Sequence, residues 1–510
     1  MAETSSLLIT GGRVMRPGAD LHRPPAADVL IEGARIAAIE PGLAGRPDIA
    51  GRDGLEVIDA TDKLVVPGFV NAHYHSHDVL AKGLLEETFL EKWRLLALPP
   101  AYPKRSVEEI RARTLLGALE CLRSGMTTVQ DMVTLYPFDP AHLAAVLQAY
   151  EDIGVRAVVG LQYADMRGIH TVPYWTEVFP EEVHSKLSTA AEPDRNFDLL
   201  GFFEDEYLKP DQGGERIHWA LGPSAPERCT DALLQQTADL SARYGLPVYT
   251  HIYESKGMTL QARRAYADRQ GSLIRRLRDI GVLGPRMNLA HSVWMLDDEI
   301  ELLAETGTNV VINPLSNMKL KSGIPPIRAF QEAGVTLGLG CDNCSCSDAQ
   351  NMFQAMKLFC LMTAISHVEP GPPQAEAAYT AATLGGAKTA LLGDEAGILE
   401  PGRLADLSLV NLMDPSFVPL NSALRQLVYT EPGRGIDTVI VGGRVVLGGG
   451  VLQTMDENAL LGEVEDLMPD FRKDFEEIRT RVDKLDPYIQ EAHRRTWADD
   501  VGMNRLFTGK

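Results

Sequence analysis

The chain has 510 residues, 45% of them apolar and 23% charged, with a formal net charge of −21. That length suits a large barrel with a satellite, and the composition allows a sizeable core. The acidic balance excludes a non-specific nucleic-acid binder, and no apolar run reaches the roughly 18 residues that span a bilayer.

The chain opens with MAETSSLLIT, which has neither the basic start nor the long apolar stretch of a signal peptide. Six cysteines are present, and Cys341, Cys344 and Cys346 crowd into six positions, which is no disulfide framework. Reduced thiols in a cytoplasmic protein are expected. Short strands separated by glycine turns come first: LLITGGRVM, DVLIEGARIAAIE and LEVIDATDKLVV. Eight apolar, strand-like runs follow, alternating with helical stretches. They are KLVVPGFVNAHYH, TTVQDM, RAVVGLQYAD, IHWALGPSAP, LPVYTHIYE, MNLAHSV, NVVINP and TLGLGCDN. Their interiors are nearly continuous in Val, Leu, Ile and Ala, as for parallel strands covered by helices. An α/β fold is expected, a closed (β/α)8 TIM barrel. An open doubly wound sheet would want a glycine-rich loop after its first strand, and that strand ends in His-Tyr-His instead. Long loops follow the first run (about 76–105) and the third (about 166–215), at the face where barrels bind substrate.

ADLSLVNL and DTVIVGGRVVLGGGVL bring back the pattern of the N-terminus, and both ends share Gly-Gly-Arg-Val. Residues 1–66 and 396–455 are therefore expected to form one small β-sandwich-like domain flanking a barrel of residues 67–395. From 456 to 510 the sequence is charged, helix-prone and amphipathic, a helical tail that packs on the barrel or on a neighbouring subunit.

The polar groups of interest end these runs. His73 and His75 project to one side of the first strand, because strand side chains alternate. His77 continues the alternation but lies further into the loop. His251 ends the fifth run with Glu254 three residues on, His291 ends the sixth, and Asp342 ends the eighth. Singly, each has a bland reading as a core histidine or a helix cap. In a barrel all strand ends meet at one mouth, and gathering so many ionisable groups there is costly unless they bind something. A divalent ion suits three imidazoles and a carboxylate. The Cys-x-x-Cys in CDNCSC encloses Asp342 but has no second pair, which argues against thiolate ligation.

PGFVNAHYH, THIYE, LAHSV, INPLSNMKLKSG and GLGCDN together resemble the amidohydrolase superfamily. The likeness is to its mononuclear cytosine deaminase and chlorohydrolase branch, with triazine hydrolases, guanine deaminase and adenosylhomocysteine deaminase, and it runs through nearly the whole chain. By that resemblance the metal ligands are His73, His75, His251 and Asp342, the proton shuttle is Glu254, and His291 steadies the reacting carbon. The lysine with which dinuclear relatives bridge two metals is missing from RAVVGLQYAD and IHWALGPSAP. One divalent metal per chain is expected, zinc first, with iron compatible with the same donors. The ion would lower the pKa of a bound water, Asp342 would take its proton, and Glu254 would pass one to a ring nitrogen or leaving amine.

The implied activity is hydrolysis of a C–N bond in a small molecule, chiefly deamination of a heterocyclic amine. Cleavage of an amide, urea or carbamate is the alternative, and a retired, non-catalytic barrel would have lost ligands that this chain keeps. A homo-oligomer is expected. Trp93 is a candidate aromatic wall, Asn317 and Ser316 candidate hydrogen-bonding groups, and Lys319 a candidate charge. Nucleoside deaminases of this branch carry Pro-Glu and Pro-His where this chain has Pro100-Ala101 and Pro223-Ser224. With Trp93 and Tyr102 nearby, that favours a free heterocycle or an aryl amide or urea over a nucleoside. Tyr74 and Ser76-His77 also suggest an unusual pocket entrance.

Overall fold

The computed structural model describes residues 6–99, 103–189, 198–208 and 215–506. The barrel strands are Phe69–His75, Met126–Val133, Arg156–Tyr163, Ile217–Pro223, Val248–Ile252, Met287–His291, Asn309–Ile312 and Leu337–Leu339. Each pairs in parallel with the next. The eighth resumes as Asp342–Asn343, which pairs with the first strand, Asp342 opposite Tyr74 and Asn343 opposite His75. The sheet thus closes on itself. Helices cover it, their ends marked by familiar signals. Ser106 caps Val107–Arg123, Thr230 caps Asp231–Tyr244, and Gly154, Gly245 and Gly307 stop three helices in the left-handed region.

Two of the runs divide. Lys63–Pro67 leaves the first and pairs antiparallel with Leu407–Asn411. Gly68 makes the division, for a Cβ there would lie 2.1 Å from the Thr127 hydroxyl. The eighth run breaks at Gly340-Cys341, between its pairing to the seventh strand and its pairing to the first.

The terminal strands form one nine-stranded sheet in which Lys63–Pro67 bridges N- and C-terminal segments. Leu7, Ile9, Val29 and Ile31 from the start share a small core with Leu407, Leu409 and Ile440 from the end. Val446 and Leu64 belong instead to the main barrel core. The C-terminal segment forms two helices, Glu457–Asp483 and Asp486–Ala498. The first lays Phe475, Ile478 and Val482 against Trp93 and Leu96, so the tail packs on its own barrel. Among the described residues no helix is long and apolar enough to cross a membrane.

Candidate metal centre

The first strand is anchored before it presents anything. Asn71 accepts from the Cys341 amide at 2.9 Å and donates to Gln350 at 2.9 Å, which ties this strand to the eighth. His73 and His75 then face the barrel axis while Tyr74 faces away, its ring against the space left by Gly117. Tyr74 therefore has no part in the pocket entrance, contrary to the sequence expectation. Ser76 donates through its amide (3.0 Å) and hydroxyl (2.7 Å) to Asp131, and Asp78 accepts the amides of Cys344 (3.0 Å) and Ser345 (3.2 Å). These bonds lock the loop after the first strand to the second and eighth strand ends.

The cage itself is tight. His75 Nε2 lies 3.2 Å from His73 Nε2 and 3.2 Å from His251 Nε2. Asp342 Oδ1 is 3.5 Å from the Nε2 atoms of both His73 and His75. The far nitrogens are occupied, with His75 Nδ1 donating to the Met132 carbonyl at 2.7 Å and His251 Nδ1 to the Ser224 carbonyl at 2.5 Å. In that tautomer two bare Nε2 lone pairs point at each other across 3.2 Å. A cation between them turns that repulsion into ligation. Ligands about 2.0–2.1 Å from a tetrahedral zinc stand about 3.3–3.4 Å apart, which fits the observed spacings. His73, His75 and Asp342 form one group able to hold an ion, and His73, His251 and His291 another.

Burial lowers the His73 pKa to about 4 and holds His251 well below its usual value, so both stay neutral and able to ligate. Burial works against the Asp342 carboxylate, but the hydrogen bond and charge of His73, with His291 and His75, hold its pKa well below the usual range.

His291 and Asp342 both adopt positive φ, 71° and 62°. Such strain costs about 1–3 kcal/mol per residue and persists where the surroundings over-determine it. His291 Nδ1 donates to Asn317 Oδ1 at 2.9 Å. Its Nε2 is buried without a partner, 3.7 Å from Glu254 Oε2 and 3.8 Å from Asp342 Oδ2. Glu254 is 4% exposed, and burial raises its pKa to about 7 despite the opposing pull of His291. A carboxyl poised near neutrality suits proton transfer.

Other expected residues are engaged elsewhere. Asn317 spends its carbonyl on His291, leaving its buried Nδ2 without a partner. Ser316 donates to the Asn313 carbonyl at 3.3 Å, and Lys319 pairs with Asp348. Trp93 lies in an apolar cluster with Leu96, Met258 and Phe475, and its indole donates to Ser345 Oγ at 2.7 Å. His77 is buried outside the ion-ready groups, 3.4 Å from the Asn343 amide nitrogen. Cys341, Cys344 and Cys346 are buried free thiols, also outside those groups. Ser224 does not act alone, because Arg228 Nη1 (2.7 Å) and Gln162 Nε2 (3.0 Å) both donate to its hydroxyl. Sequence reading passed over Asp131, Asp78, Gln350 and Arg228. Only the Ser76-His77-Asp78 triplet directly after His75 offered a signal. Ala101 and Tyr102 lie outside the described residues.

The amidohydrolase family model matches residues 64–446. A 5'-deoxyadenosine deaminase of Methanothermobacter thermautotrophicus is 32% identical over 459 residues, 90% of this chain and 97% of that protein. A 5-methylthioadenosine/S-adenosylhomocysteine deaminase of Thermococcus kodakarensis is 32% identical over 443 residues, 87% of this chain and 94% of that one. Among solved structures, an adenosine deaminase from Xanthomonas campestris with bound zinc superposes with a TM-score of 0.78 at 27% identity, covering 94% of this chain and 99% of its own. An atrazine chlorohydrolase from Arthrobacter aurescens in complex with zinc gives 0.78 at 24% identity, covering 91% and 100%, a likeness of fold alone. Fold, strand-end histidines and sequence agree, and the chain belongs to the amidohydrolase family, as a hydrolytic enzyme acting on carbon–nitrogen bonds.

Proposed function

We propose that this enzyme replaces the exocyclic amine of a heterocycle with oxygen and releases ammonia, using one divalent ion held by His73, His75, His251 and Asp342. The observation that carries the reading is the pair of inward-facing Nε2 lone pairs 3.2 Å apart, closed by Asp342. Zinc is the proposed ion, since nitrogen and carboxylate donors suit it and iron fits them less selectively. When bound, such an ion supplies an activated water at neutral pH.

The chain's own residues do the rest. Asp342 takes the proton of the attacking water. Glu254, protonated near pH 7, gives its proton to the ring nitrogen beside the carbon under attack and recovers one from the added hydroxyl as the carbonyl forms, while Asp342 passes the proton it took to the departing amine. His291, with Asn317 on its Nδ1, directs its Nε2 face at the developing tetrahedral centre. Water adds, the C–N bond breaks, and a carbonyl compound and ammonia leave.

For substrate class we place adenosine derivatives first. A relative matched over nine-tenths of the chain is a 5'-deoxyadenosine deaminase, and Arg228 and Gln162 both donate to the Ser224 oxygen, which leaves the hydroxyl proton of Ser224 to donate to a ligand. This revises the expectation of a free heterocycle, whose other supports, Ala101 and Tyr102, are outside the described residues. Ammonia release should be followed on 5'-deoxyadenosine, methylthioadenosine and S-adenosylhomocysteine, beside adenine, guanine, a pterin and an arylurea. Turnover of the arylurea with none of the aminoheterocycles would sink the deaminase reading.

The setting we propose is a cytoplasmic homo-oligomer. Leu361, Ile365 and Val368, 47%, 56% and 100% exposed at the end of one helix, support an oligomer face. A monomer in light scattering at working concentration would reject it.

A further inference from the structure

We infer that the C-terminal segment 486–506 is a working part of the active site, and that His493 is a positioning residue acting on Glu254 through Glu91 and Ser255. The inference rests on the reading of Glu254 as the proton-carrying group.

The family model ends at residue 446, so this segment lies beyond the part of the chain that the model describes. Helix Asp486–Ala498 and the stretch after it touch four of the loops that rim the barrel mouth. At the loop after the first strand, the His493 ring stacks on Phe89 with centroids 3.8 Å apart, and its Nδ1 is 3.8 Å from Glu91 Oε2. At the loop after the fifth, Lys256 Nζ donates to the Trp497 carbonyl at 3.1 Å and sits 5.0 Å over its ring. After the sixth, Trp294 meets Trp497 edge to face at 5.7 Å, and Arg505 donates to the Met295 carbonyl at 2.7 Å. After the seventh, the Ile324 amide donates to the Arg505 carbonyl at 2.8 Å. Loops that rim a barrel are otherwise its most mobile parts. Here one helix and the stretch after it cross and pin them.

The chain of contacts from this helix ends beside the chemistry. Glu91 Oε1 accepts from Ser255 Oγ at 2.7 Å, and Ser255 directly follows Glu254. The same Ser255 hydroxyl accepts from the Met258 amide at 3.3 Å, capping helix Lys256–Ala265. The turn that bears Glu254 is thus tied from outside to Glu91, and Glu91 lies within ion-pair range of His493. The space is snug, since a Cβ on Gly257 would lie 2.6 Å from Glu91 Oε1. Side-chain exposures of 12% for Glu91 and 26% for His493 make the pair an internal contact.

The test uses the full-length, metal-loaded enzyme on its best substrate, with metal content and thermal unfolding measured for every variant. His493→Ala should lower kcat about 10-fold or more with little change in KM, as misaiming of a reacting group does. His493→Gln, which retains a donor toward Glu91, should recover part of the loss. Glu91→Gln keeps the volume and should also lower kcat, and the double variant should lose no more than the worse single, because both act through one chain of contacts. A kcat within twofold of the parent for both His493→Ala and Glu91→Gln, with Glu254→Gln inactive, overturns the inference and leaves the deaminase reading standing. Full activity in Glu254→Gln overturns both.

Discussion

At the residue scale, Glu254 joins the catalytic proposal to a stability cost. Glu254→Gln keeps the carboxyl's shape and removes its proton, so turnover should fall about 10²–10⁴-fold while one metal per chain is retained. Steady-state kinetics with elemental analysis check this, and near-normal turnover would reduce Glu254 to a structural role. Its raised pKa, about 7 against 4.5 in the unfolded chain, means the folded state binds the extra proton between those values. In metal-stripped enzyme its contribution to stability is therefore full below pH 4.5 and lost as pH rises to 7. Above pH 7 the Gln variant should be the more stable, by of order 3 kcal/mol, with no advantage below pH 4.5, in denaturant titrations at the two pH values. His73 runs the other way. Its folded pKa is depressed to about 4, so metal-free protein should lose stability as pH falls from 6.5 towards 4. Asn317 carries a third expectation. Asn317→Ala frees His291 to rotate and should cost about 10–100-fold in turnover with the metal retained.

At the scale of elements, the eighth strand matters more than its length suggests. It must leave the seventh strand at Leu339 and reach the first at Asp342, and it does so over Gly340. A Cβ at Gly340 would lie 2.3 Å from Asn313 Oδ1 and 2.7 Å from His73 Cβ. Gly340→Ala should therefore push directly on His73, one of the proposed ligands, costing about 1–3 kcal/mol of stability. Metal content below one per chain is expected with it. A variant that binds a full complement of zinc with an unchanged melting temperature would show that the strand end relaxes freely.

At the scale of the whole molecule, the barrel and the terminal sheet are joined by a buried ion pair. Arg156 at the start of the third barrel strand meets Asp406 through Nε at 2.7 Å and Nη2 at 3.1 Å, with both side chains 2% exposed. Asp406 also accepts from the Gly442 amide at 2.6 Å. Removing one partner strands the other charge in the core, so Asp406→Ala should destabilise by about 3–5 kcal/mol in denaturant unfolding. A loss below 1 kcal/mol would mean that water reaches the guanidinium. Because the pair lies at the N-terminal end of its strand, away from the mouth, turnover of the folded variant should be nearly unchanged.

The sequence alone carried the barrel, because eight apolar runs at helical separation have few other ways to bury themselves, and it brought His73, His75, His251 and Asp342 to one mouth, because each ends one of those runs. Strand alternation sufficed to put His73 and His75 on one side. Local patterning could not show which residues hold the ligands in place. Asp131, Gln350 and Asn317 are far in sequence from Ser76, Asn71 and His291, which they bond, and nothing near them marks the pairing. The division of the first run at Gly68 was likewise invisible, since it follows from the approach of Thr127 across the strand pair. The tail carries the pattern of an amphipathic helix, but amphipathicity names a buried face and not what buries it. That the face lies over the barrel mouth, with His493 at Glu91, is a matter of long-range packing that only the folded chain decides.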